Sequence, residues 1–377
     1  MTTIYLDYAA ATPVDDVVLA AMQPFWTDNF YNPSATYEAA IGIHKALEAA
    51  RARVAHWLGA LPSEVVYTAG GTEANNLAIH GVMRRFPKAN IVVGAIEHES
   101  VLAPAGQYDC RVASVKPDGS IDLDDLRSKI DDKTVLVSIM YANNEVGSVQ
   151  PLRDISRVVA DKRQQRKTKL PLYLHTDACQ AANYLDLHVA RLGVDLLTLN
   201  GGKVYGPKQS GALYVKRGLE LRPLIGGGGQ ERGLRSGTEN VAANVGLAAA
   251  LDQAQTMRHE EGNRLGVLQQ RFFELLNQKV PNAIINGSLK RRLPNNVHVT
   301  IPGVDNERLL MQFDTQGIQA AAGSACSASD ETPSHVLRAM GLSDAQARSS
   351  LRFTMGRGTT VAEIERVVLT LRELTSV

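Results

Sequence analysis

The chain has 377 residues, 44% of them hydrophobic, and its 40 basic and 39 acidic residues leave a net charge of +1. That length accommodates two domains at roughly 100–200 residues each, and the balanced charge excludes a global field that draws in nucleic acid or an anionic membrane. Three widely spaced cysteines (Cys110, Cys179 and Cys326) argue against a disulfide framework, and no Cys-x-x-Cys pair or Cys/His cluster points to a metal site.

The first residues, MTTIYLDYAAATP, lack the basic and long apolar regions of a secretory signal. No apolar run reaches the roughly 20 residues needed to cross a bilayer, so a cytoplasmic protein with no membrane contact is expected. Helical periods follow over 17–27, 39–58, 74–85 and 152–162. Between and after them lie short apolar strands over 64–68, 91–94, 135–140, 172–176, 196–199 and 212–215. Several are continuous apolar runs, the mark of strands covered on both faces. The alternation predicts an α/β fold, a mainly parallel sheet flanked by helices with right-handed crossovers. The basic run KRQQRKTK at 162–169 reads as a solvated helix end, because it lacks the interleaved aromatics that stack on bases. A long helical period over 240–277 leads to a C-terminal part with apolar runs at 297–301 and 351–355 and a last helix at 361–374. That part is expected to be a smaller α+β domain, with the boundary near residue 250.

Ligands in open α/β sheets bind beyond the carboxyl ends of strands. The turn Thr68-Ala69-Gly70-Gly71-Thr72-Glu73 follows a strand and opens a helix, so its N–H groups can meet a phosphate; a tight turn is the plainer reading. Asp177 ends the strand at 172–176, with Gln180 just after it, and can orient a cofactor ring or cap a helix. Lys203, in Asn200-Gly201-Gly202-Lys203, follows the next strand and is a candidate Schiff-base amine. A strand-end Asp beside a strand-end Lys matches what pyridoxal 5'-phosphate needs: an amine for its aldehyde, an anion facing its pyridine nitrogen and a phosphate cup. His98 also sits past a strand, able to stack on a flat ring and carry protons or to serve structure alone. Asn144 ends another strand. Arg235 and Arg352 can clamp a carboxylate or form structural ion pairs, and Arg352 interrupts an apolar run where an unpaired charge is costly. Cys326 lies among small residues from Ala320 to Ala328, which reads as a mobile nucleophile or as a small buried thiol.

Taken together, these residues resemble the pyridoxal-phosphate-dependent cysteine desulfurases of the class V aminotransferase superfamily. The resemblance runs along nearly the whole chain: Tyr5-Leu6-Asp7-Tyr8-Ala9-Ala10, Asn32-Pro33-Ser34, Gly71-Thr72-Glu73, Glu97-His98, Asn144-Glu145-Val146-Gly147, Asp177-Ala178-Cys179-Gln180, Lys203-Val204-Tyr205-Gly206-Pro207-Lys208, Arg235-Ser236-Gly237-Thr238, Gly323-Ser324-Ala325-Cys326 and Arg352-Phe353. The segment around Cys326 is similar to the long-loop group, which serves iron–sulfur assembly and RNA thio-modification. The resemblance implies the type I fold of pyridoxal-phosphate transferases. It implies a large domain over 14–250 and a small one made of 1–13 and 251–377, which carries the nucleophile loop at about 320–334.

It also implies roles. Lys203 would hold the cofactor and act as acid and base, and Asp177 would pair with the pyridine nitrogen. Gln180 and Asn144 would sit at the ring hydroxyl, Asn144 also near the substrate. His98 would stack on the ring and shuttle a proton. Gly71 and Thr72 would bind phosphate, joined by Thr238 from the second subunit of a homodimer. Arg352 would bind the carboxylate of L-cysteine, and Cys326 would take its sulfur for a protein acceptor, an iron–sulfur scaffold or a tRNA-thiolation carrier. Direct nucleic-acid contact is not implied. A selenocysteine lyase, another class V lyase or transaminase, and a non-catalytic scaffold of the same fold are the competing readings; a transaminase needs no thiol at Cys326.

The chain departs from the family pattern Ser-x-His-Lys, with Asn200 and Gly202 in place of the Ser and His. One reading is compensation, by the Asn200 amide and a nest of N–H groups at Gly201-Gly202. The other is weaker cofactor retention, since a hydrogen bond to a charged acceptor is worth about 1.5–3 kcal/mol. Cys179 stands where a Thr is common and is expected to be a packing substitution.

Overall fold

The structure, a computed structural model, describes residues 3–323 and 333–375. A first strand, β1 (Ile4–Tyr5), pairs with a later segment of the chain. The next seven strands form one sheet: β2 (Val65–Thr68), β3 (Asn90–Gly94), β4 (Asp109–Ala113), β5 (Thr134–Ser138), β6 (Tyr173–Asp177), β7 (Leu196–Asn200) and β8 (Gly211–Val215). Their order is β2-β8-β7-β6-β5-β3-β4. The pairings from β7 through β4 are parallel, while β8 runs antiparallel to both of its neighbours.

The six strands expected from apolar runs are all present, and β4 is an addition. It is an edge strand of sequence DCRVA, mostly exposed or half-buried, so it carries no apolar run to announce it. The helical period at 17–27 splits into Asp16–Met22 and Pro24–Thr27, because Pro24 cannot donate into the preceding turn. The period at 74–85 forms a helix that starts earlier, Gly71–Met83, so the glycine turn is itself the first helical turn.

Side chains alternate across the sheet with a period of two. Val65, Tyr67, Val92, Val137, Leu174 and Leu197 enter one core, covered by the helices Glu38–Leu58 and Leu152–Gln165. Val66, Ile91, Val93, Leu136 and Leu196 enter a second core under the helices Gly71–Met83 and Glu99–Ala105. A third core lies around β9 (Ile284–Ile285), β10 (Asn296–Thr300), β11 (Ile318–Gln319) and β12 (Ser350–Thr354). Here β10 is flanked by antiparallel β9 and β12, and β1 pairs in parallel with β11. The helix Val241–Lys279 has 39 residues, about 58 Å at 1.5 Å per residue. Its first half packs Val241, Val245 and Leu251 into the sheet's core, and its second half packs Leu265, Phe272 and Leu276 into the third.

Candidate functional site

β2, β3, β5, β6 and β7 all point their carboxyl ends to one edge of the sheet. A cavity, partly open to solvent, lies over that edge. Gly71, Thr72, His98, Asn144, Asp177, Gln180, Asn200, Lys203 and Arg352 all line it. Thr238 does not; it is exposed, in the segment before the helix Val241–Lys279. Cys326 lies outside the described residues. The flanking Gly323 and Ser334 both lie against Glu145: a Cβ at Gly323 would stand 3.6 Å from its carboxyl group, and Ser334 hydrogen-bonds it.

Asp177 is the last residue of β6 and only 7% exposed. Its Oδ1 accepts the N–H of Cys179 at 2.9 Å, and its Oδ2 accepts Nδ2 of Asn75 at 2.7 Å. The parallel neighbour β7 ends at Asn200, and a short 3-10 turn, Gly201–Lys203, turns Lys203 into the cavity. Its Nζ donates to the carbonyls of Ala9 at 2.9 Å and Ala10 at 2.5 Å. Gln180 Nε2 donates to the same Ala9 carbonyl at 3.0 Å, so the N-terminal segment forms one wall. His98 caps the helix Glu99–Ala105: its Nδ1 accepts the N–H of Ser100 at 3.0 Å and lies 2.8 Å from Ser100 Oγ.

The helix Gly71–Met83 aims its free N–H groups at the same space. It begins after Gly70, whose φ of +130° favours glycine. A Cβ at Gly71 would stand 2.7 Å from Cys179 Sγ and 3.3 Å from Asn200 Cβ, so a glycine lets the helix start press against the ends of β6 and β7. The N–H groups of Gly201 and Gly202, which one of the two readings offered to an anion, have partners within the protein. The Gly202 N–H donates to Asn200 Oδ1 at 3.1 Å, and the Gly201 N–H donates to the Ser210 carbonyl at 2.9 Å. What remains for an anion is Asn200 Nδ2, held beside the helix start, 3.4 Å from a Cβ at Gly71.

Arg352 is 1% exposed in the middle of β12. Nη2 donates to Asp7 Oδ1 at 2.6 Å, Nη1 donates to the Asn144 carbonyl at 3.1 Å, and buried Nε has no partner among the described residues. Asp7 thus compensates the charge that interrupts the apolar strand. Arg235 is instead committed to Glu73, at 3.0 Å, and does not line the cavity.

Burial sets the ionisation of the surroundings. It pushes the Glu97 carboxyl well above the usual range, although its Oε1 accepts the Met140 N–H at 2.7 Å. It likewise raises Glu145 and lowers His298, 3.9 Å from it, to about 3. The Cys179 thiol is pushed up by burial and by the Asp177 charge, so it stays protonated, unlike a nucleophilic thiolate. Among the described residues no group of three or more His, Cys, Asp or Glu side chains can hold a metal ion.

Sequence reasoning missed Asn75, Ser100 and the partnership of Asp7. Each had a signal. Asn75 lies four residues after Gly71, on the same helix face, and is a polar residue only 1% exposed. Ser100 stands two residues after a strand-end histidine, where a hydroxyl and an N–H reach back. A buried Arg352 requires an acid, and the quoted N-terminal motif contains one.

Comparison with known proteins gives the family. The family model for Aminotransferase class-V matches residues 4–367. The cysteine desulfurase IscS of Dictyoglomus turgidum is 37% identical, over 98% of this chain and 96% of that protein. A solved NifS-like protein superposes with a TM-score of 0.92 at 32% identity, covering 100% of both chains. The structure of SspA in complex with cysteine gives a TM-score of 0.80 at 37% identity, over 94% of this chain and 99% of that one. With the strand-end carboxylate, the strand-end lysine and the glycine-opened helix on one cavity, this chain belongs to the class V aminotransferase family.

Proposed function

We propose that this protein is a cysteine desulfurase, which uses pyridoxal 5'-phosphate to convert L-cysteine into L-alanine and leaves the sulfur as a persulfide on Cys326. The observation that carries this reading is the pairing of Asp177 and Lys203 on adjacent parallel strands, beside a glycine-opened helix start on one cavity. The relatives named cysteine desulfurase and the SspA structure containing cysteine support the substrate.

The residues present fit the cofactor. Asp177 accepts donors from Cys179 and Asn75 and, as a carboxylate, keeps acceptor capacity for a pyridine N–H. The helix start at Gly71 and Thr72, with Asn200 Nδ2, would hold the phosphate. Lys203 would anchor the cofactor covalently, His98 would cover its ring, and Gln180 and Asn144 would face its hydroxyl. Bound there, the cofactor supplies an electron sink for the substrate's α carbon. Arg352 holds the substrate carboxylate with the donors that Asp7 and the Asn144 carbonyl leave over. Lys203 Nζ takes the proton from the substrate's α carbon and gives one back to that same carbon once the sulfur has left. The Cys326 thiolate attacks the substrate sulfur. A sulfur–sulfur bond forms as the carbon–sulfur bond breaks, and the electron pair stays on carbon, which takes up a proton. Cysteine and the Cys326 thiol therefore become alanine and a persulfide, with no outside oxidant.

The domain division at 14–250 against 1–13 with 251–377 is supported by the separate core that buries Ile4 and Leu6 with Phe272 and Phe353. A homodimer, with Thr238 reaching the partner's cofactor, is supported by the exposure of Thr238 away from its own cavity. The exposed rings of Trp26, Phe30 and Tyr37 add to that support. No helix among the described residues is long and apolar enough to cross a membrane. We read the protein as cytoplasmic, delivering sulfur to an iron–sulfur scaffold or a tRNA-thiolation carrier.

Anaerobic incubation with cysteine, followed by alanine assay and peptide mapping, tests the reading. Stoichiometric alanine and one added sulfur on Cys326 are expected, and Cys326→Ala should abolish both. Alanine released at the wild-type rate by that variant would overturn the nucleophile assignment. A protein that stays colourless with added pyridoxal 5'-phosphate would overturn the cofactor.

A further inference from the structure

Four side chains on the cavity wall form a chain of hydrogen bonds whose directions can all be assigned. Asn75 Nδ2 donates to Asp177 Oδ2 at 2.7 Å and to Ser100 Oγ at 2.8 Å. The amide cannot be turned over, because its oxygen would then face an acceptor-only carboxylate. Asn75 Oδ1 accordingly points away, buried and without a partner among the described residues. With both hydrogens of Nδ2 spent, Ser100 Oγ is an acceptor toward Asn75, and its own proton is free for its other neighbour. That neighbour is His98 Nδ1, at 2.8 Å. The backbone N–H of Ser100 is aimed at the same nitrogen, at 3.0 Å. Two donors therefore converge on His98 Nδ1, and a proton on that nitrogen would face both of them.

We infer that Asn75 and Ser100 are positioning residues that keep His98 Nδ1 unprotonated, so that the ring presents its proton on Nε2. The acceptor-only character of Asp177 thereby decides, through two intervening side chains, which nitrogen of His98 carries hydrogen. Neither Asn75 nor Ser100 need touch the reacting atoms. They tie the carboxylate assigned to the pyridine nitrogen to the imidazole assigned to the ring face, so that the two move together. This deepens the desulfurase reading and rests on it for the meaning of His98.

The test is ¹⁵N NMR of the histidine-labelled holoenzyme near pH 7.5, with His98→Gln identifying the His98 signals. The expected spectrum has a pyridine-type Nδ1 and a protonated, pyrrole-type Nε2. In Ser100→Ala, which keeps only the backbone donor, the Nδ1 resonance should move downfield. In the same variant kcat should fall about tenfold, the effect of one hydrogen bond, with KM nearly unchanged. Ser100→Thr, which restores the hydroxyl, should recover both. A proton on Nδ1, an equal mixture of tautomers, an unmoved resonance in Ser100→Ala or no recovery in Ser100→Thr would overturn the inference. The wild-type spectrum alone decides the tautomer if Ser100→Ala does not fold. Because the spectrum needs no turnover, its failure is separable from failure of the desulfurase reading, which appears as absent alanine.

Discussion

Asn200 spends its two ends differently. Oδ1 holds the turn that leads to Lys203, and Nδ2 is left beside the helix start. A serine hydroxyl in its place could not span both. Removing the amide with Asn200→Ala should therefore weaken pyridoxal phosphate retention ten- to roughly a hundredfold, the effect of one hydrogen bond to a charged acceptor. Equilibrium titration of the apoprotein by cofactor absorbance measures this, and unchanged affinity would show that the phosphate is held elsewhere. Arg352 was legible as a residue and not as a geometry. Its position inside an apolar run demanded a partner, but a carboxylate 345 positions away in the chain supplied it.

The helix Gly71–Met83 works because it starts where it does. Its N-terminus is wedged against the ends of β6 and β7, with room for a hydrogen and no more at Gly71. Gly71→Ala puts a methyl group against Cys179 Sγ and Asn200, so the helix start must retreat from the cavity. Cofactor affinity is expected to fall at least tenfold while the thermal midpoint moves much less; an unaltered cofactor affinity would contradict the wedge. The long helix Val241–Lys279 has the opposite character, acting as a strut between two cores. Phe272, fully buried in its second half, packs against Phe353 with the rings tilted at 45° and their centroids 5.3 Å apart. Phe272→Ala should cost about 3–5 kcal/mol, read from denaturant midpoints. The helical and apolar periods foretold both elements because local periodicity encodes which face is buried. They did not foretell β4, since an exposed edge strand needs no apolar run, nor the break at Pro24, where a missing N–H overrides amphipathicity.

Two buried imidazoles each give an acid-sensitive contribution to stability. Burial lowers His175 to about 4 and His298 to about 3, both below the ordinary value near 6.5. Groups lowered in the folded state add stability that is present above pH 6.5 and is lost as the pH falls toward those values. Glu97 and Glu145 are raised by burial, so their contribution has the other sign: present below the usual carboxylate range and lost as the pH rises. The two trends overlap, so comparison of variants isolates each. His298→Gln should reduce the loss of stability between pH 7 and pH 5 by about 2 kcal/mol, measured by urea unfolding at both pH values. An equal loss in wild type and variant would mean that His298 titrates normally in the fold.

Most of the succession of strands and helices, the glycine turn, and the lysine and aspartate at strand ends were legible in the sequence alone. Each depends on neighbours a few residues away, and periodicity, turn chemistry and helix starts are local. Tertiary structure alone decided that Asp7 neutralises Arg352, that Asn75 binds Asp177 from 102 positions away, and that the N–H groups of Gly201 and Gly202 are spent inside the protein. It also left Thr238 off its own cavity. Hydrogen bonds are directional and reach only about 3 Å, so which donor meets which acceptor depends on how distant segments pack, and residue types in order do not specify that.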